Sequence, residues 1–225
     1  DDQYKMLIYL MLSVSFLFMF SFSGWIYFSG LFLLDQFGWD SLAYGICSMA
    51  VAVFGVVMQV FVYAPIVQRT GKHAAVSIGC TFLGGGYLAI SSLGDDPRAL
   101  QGVPLLALGS MMLAFGNAVV SPSITATLSR YAKVSQGSVL GLSQGLQALA
   151  RTVGPLVFGA VYDHESRMVF FMASASAFIA GSIAYLALTC NRGLPEHAND
   201  SFEMTSSVKE PPIHSSCGDM EMELE

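Results

Sequence analysis

Long apolar runs constrain this chain more than any other feature. Six spans are expected, at about 6–34, 41–68, 74–94, 102–129, 137–162 and 168–190. The last two form one stretch, broken near Asp163 and Arg167. A helix needs about 20 mostly apolar residues to cross the hydrocarbon core, and each run reaches that length. Only Arg151 puts a charge inside a span. The pattern predicts an all-α integral membrane protein in contact with the lipid bilayer.

Composition agrees. Charged residues are 12% of the chain, against about 25% in soluble domains. The 22 glycines suit membrane helices, where small residues let neighbouring backbones approach. The net charge of −6 is concentrated: eight of the 16 acids (Glu196, Asp200, Glu203, Glu210, Asp219, Glu221, Glu223, Glu225) lie in 193–225. That polar segment holds Pro211-Pro212 and many serines, and is expected to be a disordered acidic tail. The acidity argues against a nucleic-acid partner. Cys47, Cys80, Cys190 and Cys217 show no metal-ligand or redox spacing, so no metal and no cofactor is expected. The chain opens on Asp1-Asp2 and not Met, as a piece of a longer polypeptide would.

The loops set an orientation. With six spans both termini share a side, and that side receives Lys5, Arg69, Lys72, Arg130, Lys133 and Arg192. The other side receives Arg98 and Arg167. The excess of Lys and Arg predicts that both termini are cytoplasmic. Two units have similar layouts: Gly45 to Gln68, and Gly141 to Asp163. Being three spans apart they cross in opposite senses, which fits two inverted three-helix repeats.

Polar groups within spans need partners or a water-filled path. Gln144, Gln147, Arg151 and Pro155 fall at steps of three, four and four, on one helix face. Gly137, Gly141 and Gly145 step by four along a nearby face and would allow close helix packing. Arg151 either lines a cavity or locks neighbouring carbonyls. Asn117, Ser121 and Thr125 form a stripe on the fourth span, and Ser48, Gly55, Gln59 and Tyr63 on the second. Trp25 and Ser29 lie in the first. The candidate cavity residues are Trp25, Ser29, Gln59, Asn117, Ser121, Gln144, Gln147 and Arg151. The plainer readings are hydroxyls satisfying their own helix carbonyls and, for Trp25, an interfacial aromatic belt. Gly84-Gly85-Gly86 reads as helix packing or a bend.

Ala64-Pro65-Ile66-Val67-Gln68-Arg69-Thr70-Gly71-Lys72-His73 resembles the cytoplasmic loop signature of the major facilitator superfamily, G-x-L-x-D-R-x-G-R-[RK]. Arg69 and Gly71 match, Lys72 is conservative, and Gln68 replaces the acid. The fifth span, with Gly141, Gln144, Gln147, Arg151, Gly154, Pro155 and Gly159, resembles the eleventh helix of tetracycline-efflux-like and multidrug-like members. Gln36-Phe37-Gly38-Trp39-Asp40 resembles their short loop before the eighth helix. The resemblance implies the C-terminal six helices of a twelve-helix carrier, working by alternating access on a small-molecule substrate. The N-terminal six-helix half of the same polypeptide would be its partner. Gln68, Arg69, Gly71 and Lys72 would then gate, while Gly141, Gly145, Gly154, Pro155 and Gly159 would set helix packing and bending.

The rival readings are a complete six-span channel-forming or scaffold protein, and an intramembrane enzyme. The latter needs a reactive pair at membrane depth, and none is evident, so no enzymatic activity is expected. Asn199-Asp200-Ser201 is a glycosylation sequon. With cytoplasmic termini it stays unmodified in cell-expressed protein, so a glycosidase-sensitive mass shift at Asn199 would reverse the orientation.

Overall fold

The computed structural model describes residues 2–93, 102–131 and 136–191. Seven helices are present there: α1 (Asp2–Phe37), α2 (Ser41–Phe61), α3 (Tyr63–Thr70), α4 (Lys72–Ser91), α5 (Gly102–Tyr131), α6 (Gln136–Tyr162) and α7 (Ser166–Asn191). The turn at Asp95–Arg98, the sequon and the acidic tail lie outside the described residues.

Among the described residues, five helices are long and apolar enough to cross a membrane: α1, α2, α4, α5 and α7. The chain is therefore an integral, multi-pass membrane protein. The 27 residues of α6 are ample for a crossing, but Gln144, Gln147 and Arg151 make it more polar than the other five.

The expected single span over 41–68 is two helices. Val62 separates α2 from α3. Pro65 has no N–H to offer the Phe61 carbonyl, and its ring crowds that carbonyl. The chain still runs on, with Val62 N–H bonded to Met58 O at 2.9 Å and Ile66 N–H to Val62 O at 3.2 Å. The other boundaries have local causes. Gly38, at φ +64°, ends α1 by donating its N–H to Leu34 O at 2.9 Å. Asp40 caps α2 by accepting from the Ala43 N–H at 2.9 Å. Gly71, at φ +81°, turns the chain from α3 into α4.

The core is built on α4. A Cβ on Gly116 of α5 would stand 2.7 Å from the Gly79 carbonyl oxygen, and one on Gly86 2.8 Å from that of Gly109. The reverse pairs are nearly as tight, at 3.2 Å and 3.0 Å. Two glycines seven residues apart on each helix thus face each other, and α4 and α5 run antiparallel with their backbones close. On its other side α4 meets α7 through a reciprocal clasp. Ser77 Oγ donates to Gly181 O at 3.1 Å, and Ser174 Oγ donates to Gly84 O at 3.0 Å. Helix α7 then packs on α1, where Ser21 Oγ donates to Ala173 O at 2.7 Å. The buried Tyr87 of α4 reaches Ser21 O at 3.1 Å and ties the three together.

Helices α2, α3 and α6 stay at the edge, and no residue of α3 is buried. No residue of α2 is buried, and it leans on α5 around Gly55 and Ala114. Helix α6 buries only Ser143, Ala150, Gly154 and Phe158, of which Ser143, Gly154 and Phe158 meet α1.

The glycine contacts give a direct test. Gly116→Ala forces a methyl group onto a backbone oxygen that cannot move aside, and should cost about 1–3 kcal/mol. Gly85→Ala meets only the flexible end of Met112 and should cost much less. Thermal unfolding of the two purified variants in detergent compares them, and equal midpoints would contradict the packing described.

Candidate functional site

The polar residues of α6 divide between two faces, because α6 lies along α1. Ser143, Gln147, Ala150, Gly154 and Phe158 recur at steps of four, three, four and four and form the stripe on α1. Contacts run in register: Ser15 meets Ser143, Ser23 meets Gly154, and Phe28 meets Tyr162. Both numbers rise together, so α1 and α6 are parallel. At the end of the pair, Tyr162 Oη donates to Asp35 Oδ2 at 2.5 Å.

Near the other end lies a polar knot. Ser15 Oγ and Ser143 Oγ are 2.9 Å apart, and both residues are buried. Gln147 Nε2 donates to Ser15 Oγ at 2.9 Å and approaches Ser143 Oγ at 3.5 Å. Between the two ends the seam is aromatic, with Phe20 and Phe158 rings 4.8 Å apart.

The expected stripe of Gln144, Gln147 and Arg151 is therefore split. Gln147 is half-buried and turned to α1, while Gln144 and Arg151 are exposed on the flank. Arg151 makes no hydrogen bond or ion pair among the described residues. Pro155, within α6, leaves the Arg151 carbonyl without its usual helical donor.

The other candidates scatter. Gln59 and Ser121 are exposed, and Trp25 and Asn117 are half-buried. Ser29 is buried and lies 3.1 Å from Tyr44 Oη, so it ties α1 to α2. Thr125 Oγ1 donates to the Ser121 carbonyl at 3.2 Å, the self-satisfying role that a mid-helix threonine commonly takes. In the proposed gate, Gln68 and Arg69 are exposed in the last turn of α3, Gly71 supplies the positive φ, and Lys72 opens α4 half-buried. His73, next to it, is buried with Nε2 2.7 Å from Tyr131 Oη.

The glycine face of α6 has no close neighbour among the described residues. Nothing lies within 4 Å of a Cβ built on Gly137, Gly141 or Gly145, because that glycine face points away from α1. The close approach occurs instead at Gly154, where a Cβ would collide with Ser23 Oγ, while Gly159 makes ordinary contact with Phe28 at 3.8 Å. Sequence reasoning missed Ser15, Ser143 and the Gly79, Gly86, Gly109 and Gly116 set. The seven-residue glycine spacing on two successive helices was the available signal for the last.

A family model described as Major Facilitator Superfamily matches residues 7–216. Major facilitator superfamily domain-containing protein 10 of Homo sapiens is 32% identical over 167 residues, covering 74% of this chain and 35% of that protein. The class B tetracycline resistance protein of Escherichia coli is 24% identical over 136 residues, covering 60% of the chain and 32% of that protein. Among solved structures, the crystal structure of the human organic anion transporter MFSD10 (TETRAN) matches with a TM-score of 0.61 and 26% identity. It covers 81% of this chain and 40% of that one. The chain spans about a third of the length of the curated relatives it matches.

Gly154→Ala should lower the thermal midpoint and the monodisperse yield, since Ser23 blocks the added methyl. Adding Ser23→Gly removes the obstacle and should recover much of the loss. A double variant no better than the single one would show that α1 and α6 do not meet at this point.

Proposed function

The chain belongs to the major facilitator superfamily, and from that premise we propose that it is one six-helix half of a secondary transporter whose substrate is a small organic anion. Helices α2 and α3 together make one crossing and α6 makes another. The half works with a second six-helix bundle by alternating access, with both termini cytoplasmic.

Packing symmetry supports the two inverted repeats. Exchanging α1 with α5, the α2–α3 pair with α6, and α4 with α7 leaves the pattern of neighbours unchanged. The α4–α5 seam exchanges with the α7–α1 seam, and the α2–α5 contact with the α6–α1 contact. The two hydrogen bonds of the α4–α7 clasp also exchange, serine to glycine carbonyl in each direction. The parallel run of α1 and α6 fits an odd number of crossings between them, which requires α2–α3 to count as one.

The observation that carries the substrate reading is Arg151. A guanidinium at mid-span costs about 2.5–3.5 kcal/mol on insertion scales unless it finds water or an anion. Here it is exposed on a flank of α6 beside Gln144, with no acid to neutralise it among the described residues. A planar fork in that position suits a carboxylate or sulfonate. The matched solved structure is of a transporter of organic anions, which supports the same class. The exposed apolar residues of α2, including Val53, Val56, Val60 and Phe61, are the surface that the second bundle covers.

Reactivity with a water-soluble thiol reagent tests the path in the cysteine-free, full-length protein. Gln144→Cys and Arg151→Cys should react, and Ser143→Cys and Ala150→Cys, on the α1 stripe, should not. Arg151→Lys should express normally yet lose transport at least about tenfold, the scale of a charge-assisted hydrogen bond. Uniform inertness of all four cysteines would remove the aqueous path, and normal transport by Arg151→Lys would remove the forked contact.

A further inference from the structure

The Ser15–Ser143–Gln147 knot has a chemistry that helix packing alone does not need. Two serines suffice to tie α1 to α6, at 2.9 Å and out of solvent. Gln147 adds a larger amide that uses only its nitrogen there, donating to Ser15 and approaching Ser143. A carboxamide has two donors and a carbonyl oxygen with two lone pairs. Among the described residues Oε1 has no hydrogen-bond partner, and it is not among the buried unsatisfied atoms. Engaging the nitrogen on the packed side turns the oxygen to the open side. Arg151 lies one helical turn further on, about 6 Å away between Cβ atoms, and is exposed.

An acceptor fixed one turn from a cation defines a two-point site. The guanidinium takes the anionic group. The amide oxygen takes a hydrogen-bond donor carried close to that group. Resting on the reading of Arg151 as the anion site, we infer that Ser15 and Ser143 are positioning residues that hold Gln147 Oε1 toward the substrate, and that the preferred substrates are organic anions bearing a hydroxyl or N–H beside the charged group. A plain hydrophobic acid satisfies Arg151 and leaves the amide oxygen unpaired.

The experiment is uptake of labelled mandelate and phenylacetate, which differ by one hydroxyl, into proteoliposomes holding the full-length protein. The quantity read is the ratio of their KM values. The wild type should favour mandelate by roughly 3- to 10-fold, the scale of one neutral hydrogen bond. Gln147→Leu and Ser15→Ala/Ser143→Ala should bring the ratio to about one, while Ser15→Thr, which keeps the hydroxyl, should preserve the preference. A purely structural role for the serines would shift both KM values together and leave the ratio standing, which would overturn the inference. Equal KM values in the wild type would overturn it too, since the hydroxyl would then meet no partner at the amide. Failure of the wild type to carry either acid, or indifference of both to Arg151→Ala, would overturn the anion reading on which it rests.

Discussion

Close approach of α4 to its neighbours is the constraint on which the rest of the structure depends. Lipid tails are as apolar as leucine, so burial against lipid gives membrane helices little reason to associate. Packing and interhelical hydrogen bonds must supply the attraction. Gly79 and Gly86 against Gly109 and Gly116 bring the backbones of α4 and α5 together, and the serine–glycine clasp does the same for α4 and α7. Tyr87 then fixes α1 through the Ser21 carbonyl. With α4, α5, α7 and α1 locked in this way, α2 and α6 are left on the side away from α4.

That placement connects packing to function. The locked helices carry much of the buried surface, including Phe18, Phe32, Leu83, Tyr87, Leu113 and Phe170. Prolines fall in both groups, and Pro122 lies within the locked α5. Pro65 divides α2 from α3, and Pro155 lies in α6 beside Arg151. Helix α6 is tied to α1 by the polar knot and by Tyr162, and is open along Gln144 and Arg151.

Much of the architecture was legible in the sequence because membrane helices announce themselves by length and apolarity. Five of the six expected spans correspond to helices that meet both conditions, and the loop around Arg69 and Gly71 identified the family. Helix α6 was legible as a polar helix, but its orientation was not. Its polar stripe and its packed stripe are only some 60° apart, so periodicity could not tell which of Gln144, Gln147 and Arg151 faced α1. A four-residue step at Gly137, Gly141 and Gly145 allows close packing without requiring it, and the approach occurs at Gly154. The break at Val62 was within reach, since Pro65 stood in the quoted loop motif, but helices often run through proline with a bend.

The account rests on α2 being an internal surface and not a lipid-facing one. Spin labels at Val53, Val56 and Val60 of the full-length protein in bilayers measure this directly. Labels at Tyr185 and Leu186 of α7, also exposed within this bundle, provide the comparison. The account predicts that the α2 labels are immobilised and shielded from dissolved oxygen, while the α7 labels move freely and collide with it. Equal oxygen accessibility on the two helices would contradict it, since α2 would then face lipid.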